Sequence, residues 1–144
     1  MMLVSTKGRY ALRVIIDLAE NGSEGYTPMK NVAERQGISL KYLERILPLL
    51  VSAGLVEGVH GKGGGYKLSR KPAKITVGEV LRAAEGDIAP VACLECNADI
   101  CSRQDTCRTL PMWEKFYSLI REYFDSVTLA DLMLTEPGGD NYVI

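Results

Sequence analysis

The chain has 144 residues, 47% hydrophobic and 24% charged, which is enough apolar material for a packed core and excludes a wholly disordered polymer. The formal net charge is −1, yet residues 1–71 carry a net +5 and residues 72–144 a net −6, so a polyanion would meet the first half alone. No signal-peptide pattern follows Met1, and no apolar run approaches the ~18 residues of a membrane helix. These features predict a cytoplasmic protein with no membrane partner, where thiols stay reduced and disulfide frameworks are rare.

Residues 5–21 place Tyr10, Ala11, Val14, Ile15, Leu18 and Ala19 on one face of a helix that Gly22 ends. Thr27 followed by Pro28 reads as an N-cap and first helical residue, opening a short helix that Gly37 stops. Ser39 then caps a third helix with Leu40, Leu43, Ile46, Leu47, Leu50 and Val51 on its apolar side. Pro48 removes one hydrogen bond inside it, and Gly54 closes it. Two helices joined by a tight Gly-containing turn are a helix-turn-helix. In LVEGVHGKGGGYKLSR, residues 55–59 and 66–68 read as two short strands with Gly61 to Gly65 at the tip, a hairpin wing. The expected fold is mainly α: a winged helix-turn-helix with a two-stranded wing and a long dimerisation helix.

The third helix would enter a major groove by its N-terminal turn. Lys41 and Arg45 can donate to phosphate or guanine, Glu44 can accept from cytosine, and Ser39 and Tyr42 stand beside them. Lys7, Arg9 and Tyr10 would touch backbone phosphates, which position without specifying. The wing presents Lys62 and His60, the chain's one histidine.

After the connector KPAK, Thr76 with Glu79 forms a capping box for a short helix through Ala84. A long helix follows from Pro111 to about Val127, bearing Trp113, Phe116, Tyr117, Ile120, Tyr123 and Phe124, and Thr128 with Asp131 starts a further turn. The width of the apolar stripe favours a second copy of the same helix, hence a homodimer.

Between these helices lies CLECNADICSRQDTC, residues 93–107, which holds Cys93, Cys96, Cys101 and Cys107. Thiolates are soft ligands that favour iron–sulfur clusters, zinc or copper(I). A structural zinc site uses paired C-x2-C units, and only Cys93 with Cys96 makes one. An iron–sulfur cluster is the leading reading, with zinc and redox thiols open beside it. No nucleophile–base pair, nucleotide loop or thioredoxin-like pattern is visible, so the chain is not read as an enzyme.

STKGRYALR, ERQGISLKYLERI and LVEGVHGKGGGYKLSR together resemble the winged-helix regulators of the Rrf-two family, over Met2 to about Leu132. The iron–sulfur regulators of that family are the nearest in pattern. The resemblance implies a homodimer on a near-palindromic double-stranded DNA operator, with Ser39, Lys41, Tyr42 and Glu44 at recognition-helix positions. His60 stands where the iron–sulfur regulators have arginine. Cys93, Cys101 and Cys107 fit the spacing of the family's nitric-oxide sensors, and Leu110 stands where the iron–sulfur regulators have a ligating histidine. The implied cofactor is a cluster on Cys93, Cys101 and Cys107, with 2Fe-2S favoured, 4Fe-4S possible and Cys96 a candidate fourth ligand. The implied function is a regulator, read as a repressor, that reports cluster status to iron–sulfur biogenesis or related sulfur and iron genes. The alternatives are a cysteine-metabolism repressor and a nitric-oxide sensor.

The last residues, DNYVI, resemble the C-terminus of serine acetyltransferases, which enters the active site of O-acetylserine sulfhydrylase. Tyr142, Val143 and Ile144 are therefore candidate contacts to that enzyme. The expected organisation is a DNA-binding domain over 1–72, a connector and short helix over 73–92, a cysteine loop over 93–110, a dimerisation helix over 111–134 and a flexible tail over 135–144.

Overall fold

A computed structural model describes residues 4–22, 25–95 and 98–133. Helix α1 spans Thr6–Asn21 and buries Ala11, Val14, Ile15 and Leu18. Its apolar face is the one the i, i+3, i+4 spacing sets. The start of α2 differs from expectation. Thr27 does not cap it: its N–H donates to the Tyr66 carbonyl at 2.8 Å and its own carbonyl accepts from Tyr66 N–H at 2.9 Å. Thr27 is thus spent on tying the wing to the loop after α1, and α2 begins after Pro28, over Met29–Gln36. Gly65 makes the approach possible, because a Cβ there would collide with the Thr27 carbonyl.

Gly37, at φ 63°, ends α2 in the left-handed conformation, and the Ile38 N–H returns to the Ala33 carbonyl at 3.2 Å. Ser39 caps α3, Leu40–Ser52, its Oγ accepting from the Tyr42 N–H at 3.1 Å. Pro48 sits inside α3 without ending it, since Leu43, Ile46, Leu47 and Leu50 anchor the helix in the core. Leu40 and Val51, read as apolar-side residues, are exposed. A buried clamp joins α1 to α2. The Asp17 carboxylate accepts from Arg35 Nη2 at 2.6 Å and from Gln36 Nε2 at 2.9 Å.

The wing is an antiparallel pair, β1 (Val56–Val59) and β2 (Gly65–Leu68), with Val56 opposite Leu68 and Val59 opposite Gly65. Leu55 precedes the strand instead of opening it, and is buried in the core. A 3-10 turn at Pro72–Lys74 leads to α4, Val77–Glu85, which starts on a complete Thr76–Glu79 capping box. Helix α5 spans Leu110–Ser126, and α6, Leu129–Leu132, opens on a Thr128–Asp131 capping box. The Val77 N–H donates to the Val127 carbonyl and the Leu129 N–H to the Ile75 carbonyl, at 2.8 and 2.9 Å, fastening the end of α5 to the start of α4.

Two apolar clusters result. The larger gathers α1, α2, α3, the base of the wing and one side of α4 through Val80 and Ala84. The smaller joins the other side of α4, through Val77 and Leu81, to Tyr117, Ile120 and Phe124 of α5. Helix α4 therefore lies between the helix-turn-helix and α5 and packs on both.

Candidate nucleic-acid interface and cysteine pocket

The turn that Ser39 caps leaves Lys41, Glu44 and Arg45 exposed, as a groove-reading helix requires. Tyr42 is half-buried. Its ring meets Tyr10 of α1 edge-on at 5.4 Å, and the Arg45 guanidinium lies 5.6 Å over it. Arg13 stands 5.2 Å over Tyr10 and donates to Gln36 Oε1 at 3.2 Å, with a second contact to the Gln36 carbonyl. Cations and rings thus alternate along Arg13, Tyr10, Tyr42 and Arg45, each stiffening the next. Sequence reasoning named Tyr42 and Arg45 but missed Arg13. Its signal was the spacing of three residues from Tyr10, which puts both on one side of α1.

The structure keeps the start of α1 and the recognition turn together, so Lys7 and Arg9 extend the basic surface that Lys41 and Arg45 begin. Arg9 is exposed and its Nη2 donates to Thr6 Oγ1 at 3.2 Å. On the wing, His60 and Lys62 are exposed at the tip, where Gly61 and Gly63 take φ of 96° and 79° and the Gly64 N–H closes the turn on the Gly61 carbonyl.

The cysteine segment opens with a 3-10 turn at Ala92–Leu94. Cys93, Cys101 and Cys107 are free thiols that line one cavity of about 320 Å³, together with Glu95, Asp99, Gln104, Leu110 and Glu114. Cys96 lies outside the described residues. Cys107 is held toward the thiolate chiefly by a hydrogen bond with the Thr109 hydroxyl, at 3.5 Å, aided by backbone N–H groups at Thr109 and Leu110. The Cys101 Sγ accepts from the Arg103 N–H at 3.4 Å. Among the described residues no three His, Cys, Asp or Glu side chains converge closely enough to hold a metal ion. The donor set nonetheless suits a soft metal centre: three thiols share one cavity, one already favoured as thiolate. Leu110 occupies the cavity wall on α5 with an apolar side chain.

Helix α5 divides its apolar residues between two faces. Tyr117, Ile120 and Phe124 turn inward against α4. Met112, Phe116, Leu119 and Tyr123 turn outward, 54, 44, 50 and 48% exposed, in a stripe spaced four, three and four residues apart. Among the described residues no helix is long and apolar enough to cross a membrane.

Comparison with known proteins gives the same picture. Residues 4–135 match the family model Rrf2, described as an iron-dependent transcriptional regulator. The HTH-type transcriptional regulator IscR of Aliivibrio salmonicida is 38% identical over 92% of this chain and 78% of its own length. The structure of CymR, the global cysteine regulator of B. subtilis, superposes with a TM-score of 0.72 at 39% identity, covering 92% of this chain and 96% of that one. T. potens IscR superposes with a TM-score of 0.70 at 40% identity, covering 90% and 84%.

Proposed function

The chain belongs to the Rrf2 family of transcriptional regulators, and from that premise we propose that it is a homodimeric repressor that grips operator DNA through α3, the start of α1 and the wing, under the control of an iron–sulfur centre on its cysteine loop. One observation carries the sensor reading: Cys93, Cys101 and Cys107 line a single cavity whose wall includes Leu110 and Glu114 of α5. Cys93, Cys101 and Cys107 would hold the cluster, 2Fe-2S or 4Fe-4S, with Cys96 as a further ligand. A bound cluster supplies a centre that iron supply, oxygen or nitric oxide can alter.

The chain's own contribution is mechanical. The loop that bears the thiols runs directly into the first turn of α5, so order imposed on the loop is imposed on that helix. The outward stripe of α5 supports pairing with a second copy, and pairing sets the distance between two recognition helices. Two arrangements of that pair would differ in operator affinity, and the site biases them only by its own difference in affinity between them. Lys7, Arg9, Lys41, Arg45 and Lys62 would neutralise phosphate. Ser39, Tyr42 and Glu44 would set the recognition turn against base edges, and His60 would reach the backbone beside the wing. Anaerobically purified protein should carry iron, sulfide and a visible absorption band that Cys→Ala changes at 93, 101 or 107 each remove. Colourless, iron-free protein after reconstitution, binding its promoter unchanged, would end the sensor reading.

The likeness to a global cysteine regulator favours a second reading, repression of cysteine metabolism together with O-acetylserine sulfhydrylase. Tyr142, Val143 and Ile144 would make that contact, and they lie outside the described residues. A pull-down with purified sulfhydrylase decides it: the full chain should retain the enzyme and a chain lacking the last three residues should not.

A further inference from the structure

The N-terminus of α1 is not capped by its own residues. Ser5 stands at the N-cap but its side chain makes no capping bond, and the first turn contains no acidic residue. It contains Lys7 and Arg9 instead, cations at the positive end of a helix dipole, which is the unfavourable end for them. Glu85, at the far end of α4, supplies what is missing. Its Oε1 accepts from Ser5 Oγ at 2.5 Å and from the Gly8 N–H at 2.8 Å. Gly8 is buried, and a Cβ there would sit 2.6 Å from that same oxygen, so glycine is what lets the carboxylate in.

We propose that Glu85 is a positioning residue for DNA binding, a carboxylate lent by α4 that fixes the first turn of α1 and so aims Lys7 and Arg9 at the phosphate backbone. It rests on the reading above that this turn touches DNA. Glu85 is suited to the role by its mounting. The preceding residue, Ala84, is buried in the main core, and Gly86, at φ 83°, ends α4 immediately after it. Two residues further on, Asp87 Oδ1 accepts from the Tyr117 hydroxyl of α5 at 3.0 Å. The two ends of one short segment thereby hold the DNA-facing turn of α1 and the helix that follows the cysteine loop. Glu85 touches no DNA itself in this account and acts only through α1.

The test is a double-mutant cycle on a duplex spanning the region upstream of the protein's own gene, read by fluorescence anisotropy over a series of salt concentrations. Lys7→Ala with Arg9→Ala should weaken binding of the full chain at least about tenfold and lower the salt slope by up to about two, one for each lost phosphate contact. Glu85→Ala should weaken binding comparably, and in its background the Lys7/Arg9 changes should cost little more. Glu85→Gln keeps an acceptor for Ser5 and Gly8 and should restore most of the loss. Gly8→Ala displaces the carboxylate without altering it and should reproduce Glu85→Ala, which keeps the test intact if Glu85→Ala folds poorly. If Lys7 and Arg9 can be removed with no effect on binding, the α1 contact itself is wrong and the proposal falls with it. If they matter but lose just as much affinity in the Glu85→Ala background, only the role of Glu85 is overturned.

Discussion

The outward stripe of α5 gives a prediction whose size can be worked out. Met112, Phe116, Leu119 and Tyr123 each expose about half their surface. Large apolar side chains carry roughly 200 Å² apiece, so the stripe leaves on the order of 400 Å² of apolar surface per protomer. Covering two such stripes is worth about 20 kcal/mol at ~25 cal/mol per Å², against an association cost of about 4–15 kcal/mol. The remainder corresponds to a dimer of micromolar affinity or tighter. Leu119→Glu removes apolar area near the middle of the stripe from both copies and sets two like charges across the two-fold axis. The loss is about 5 kcal/mol, which raises the dissociation constant roughly 10³–10⁴-fold. Sedimentation equilibrium at micromolar concentration should find a monomer with unchanged helix content by circular dichroism. Ser118→Glu, on the exposed polar side of the same helix, is the control and should stay dimeric. An operator read by two half-sites should then bind the Leu119→Glu protein far more weakly than the control. A Leu119→Glu protein with the dimerisation constant of the unaltered chain would refute the assignment of this face.

Two further outcomes follow from individual side chains. Asp17 is 1% exposed while its partner Arg35 is 38% exposed, so the two halves of the clamp are not equivalent. Arg35→Ala strands a buried carboxylate with Gln36 alone and should cost about 3–5 kcal/mol, whereas Asp17→Ala frees a guanidinium that turns to water and should cost about half of that. Thermal unfolding should place the two midpoints several degrees apart with Arg35→Ala the lower, at about 2–4 °C per kcal/mol for a chain of this size, and equal losses would contradict the asymmetry. Cys107 is held below the ordinary thiol range first by the Thr109 hydroxyl, which favours the thiolate. In reduced, metal-free protein its alkylation should therefore set in at lower pH than that of an ordinary thiol, and Thr109→Val should move that onset upward; an onset unmoved by the change would show that another group holds the thiolate.

How much of this was legible in the sequence depended on whether the signal was local. Ser39, Gly37, and the Thr76–Glu79 pair act on backbone within a few residues, and the structure uses them as read. Thr27 carries an equally good local signal and is used otherwise, because a partner 39 positions away, Tyr66, competes for its backbone and wins. Leu40 and Val51 satisfy the helical period but stand at the edge of the α3 stripe, where the chain offers nothing to cover them. The thiols were found from spacing alone, and so was the cavity's departure from a histidine at Leu110. The division of the α5 aromatics was not, since the sequence shows one broad stripe and only packing against α4 decides which residues turn inward. Arg13 and Glu85 were missed for the same reason, their partners lying on other elements.

Helix α4 explains why those non-local contacts matter together. It is nine residues long, too short to be stable alone, and it persists because both of its sides are buried, one against each apolar cluster. Its polar residues then have no freedom to drift. Glu79 binds Arg70 beyond the wing at 3.1 Å, Arg82 binds Asp125 near the end of α5 at 2.8 Å, and Glu85 binds the start of α1. Each of these pairs is partly exposed and individually weak, worth about 0–1 kcal/mol as a contribution to stability. Their effect is geometric: one rigid helix holds the base of the wing, the far end of α5 and the first turn of α1 at fixed separations. A rotation of α5 that carried α4 with it would move the wing and the α1 cations as a unit, whereas one that left α4 behind would have to break the Arg82–Asp125 and Tyr117–Asp87 contacts first. The helix-turn-helix and α5 are therefore coupled through α4 packing, and the stiffness of that single element sets how much of a change at the cysteine loop reaches the DNA-facing surface.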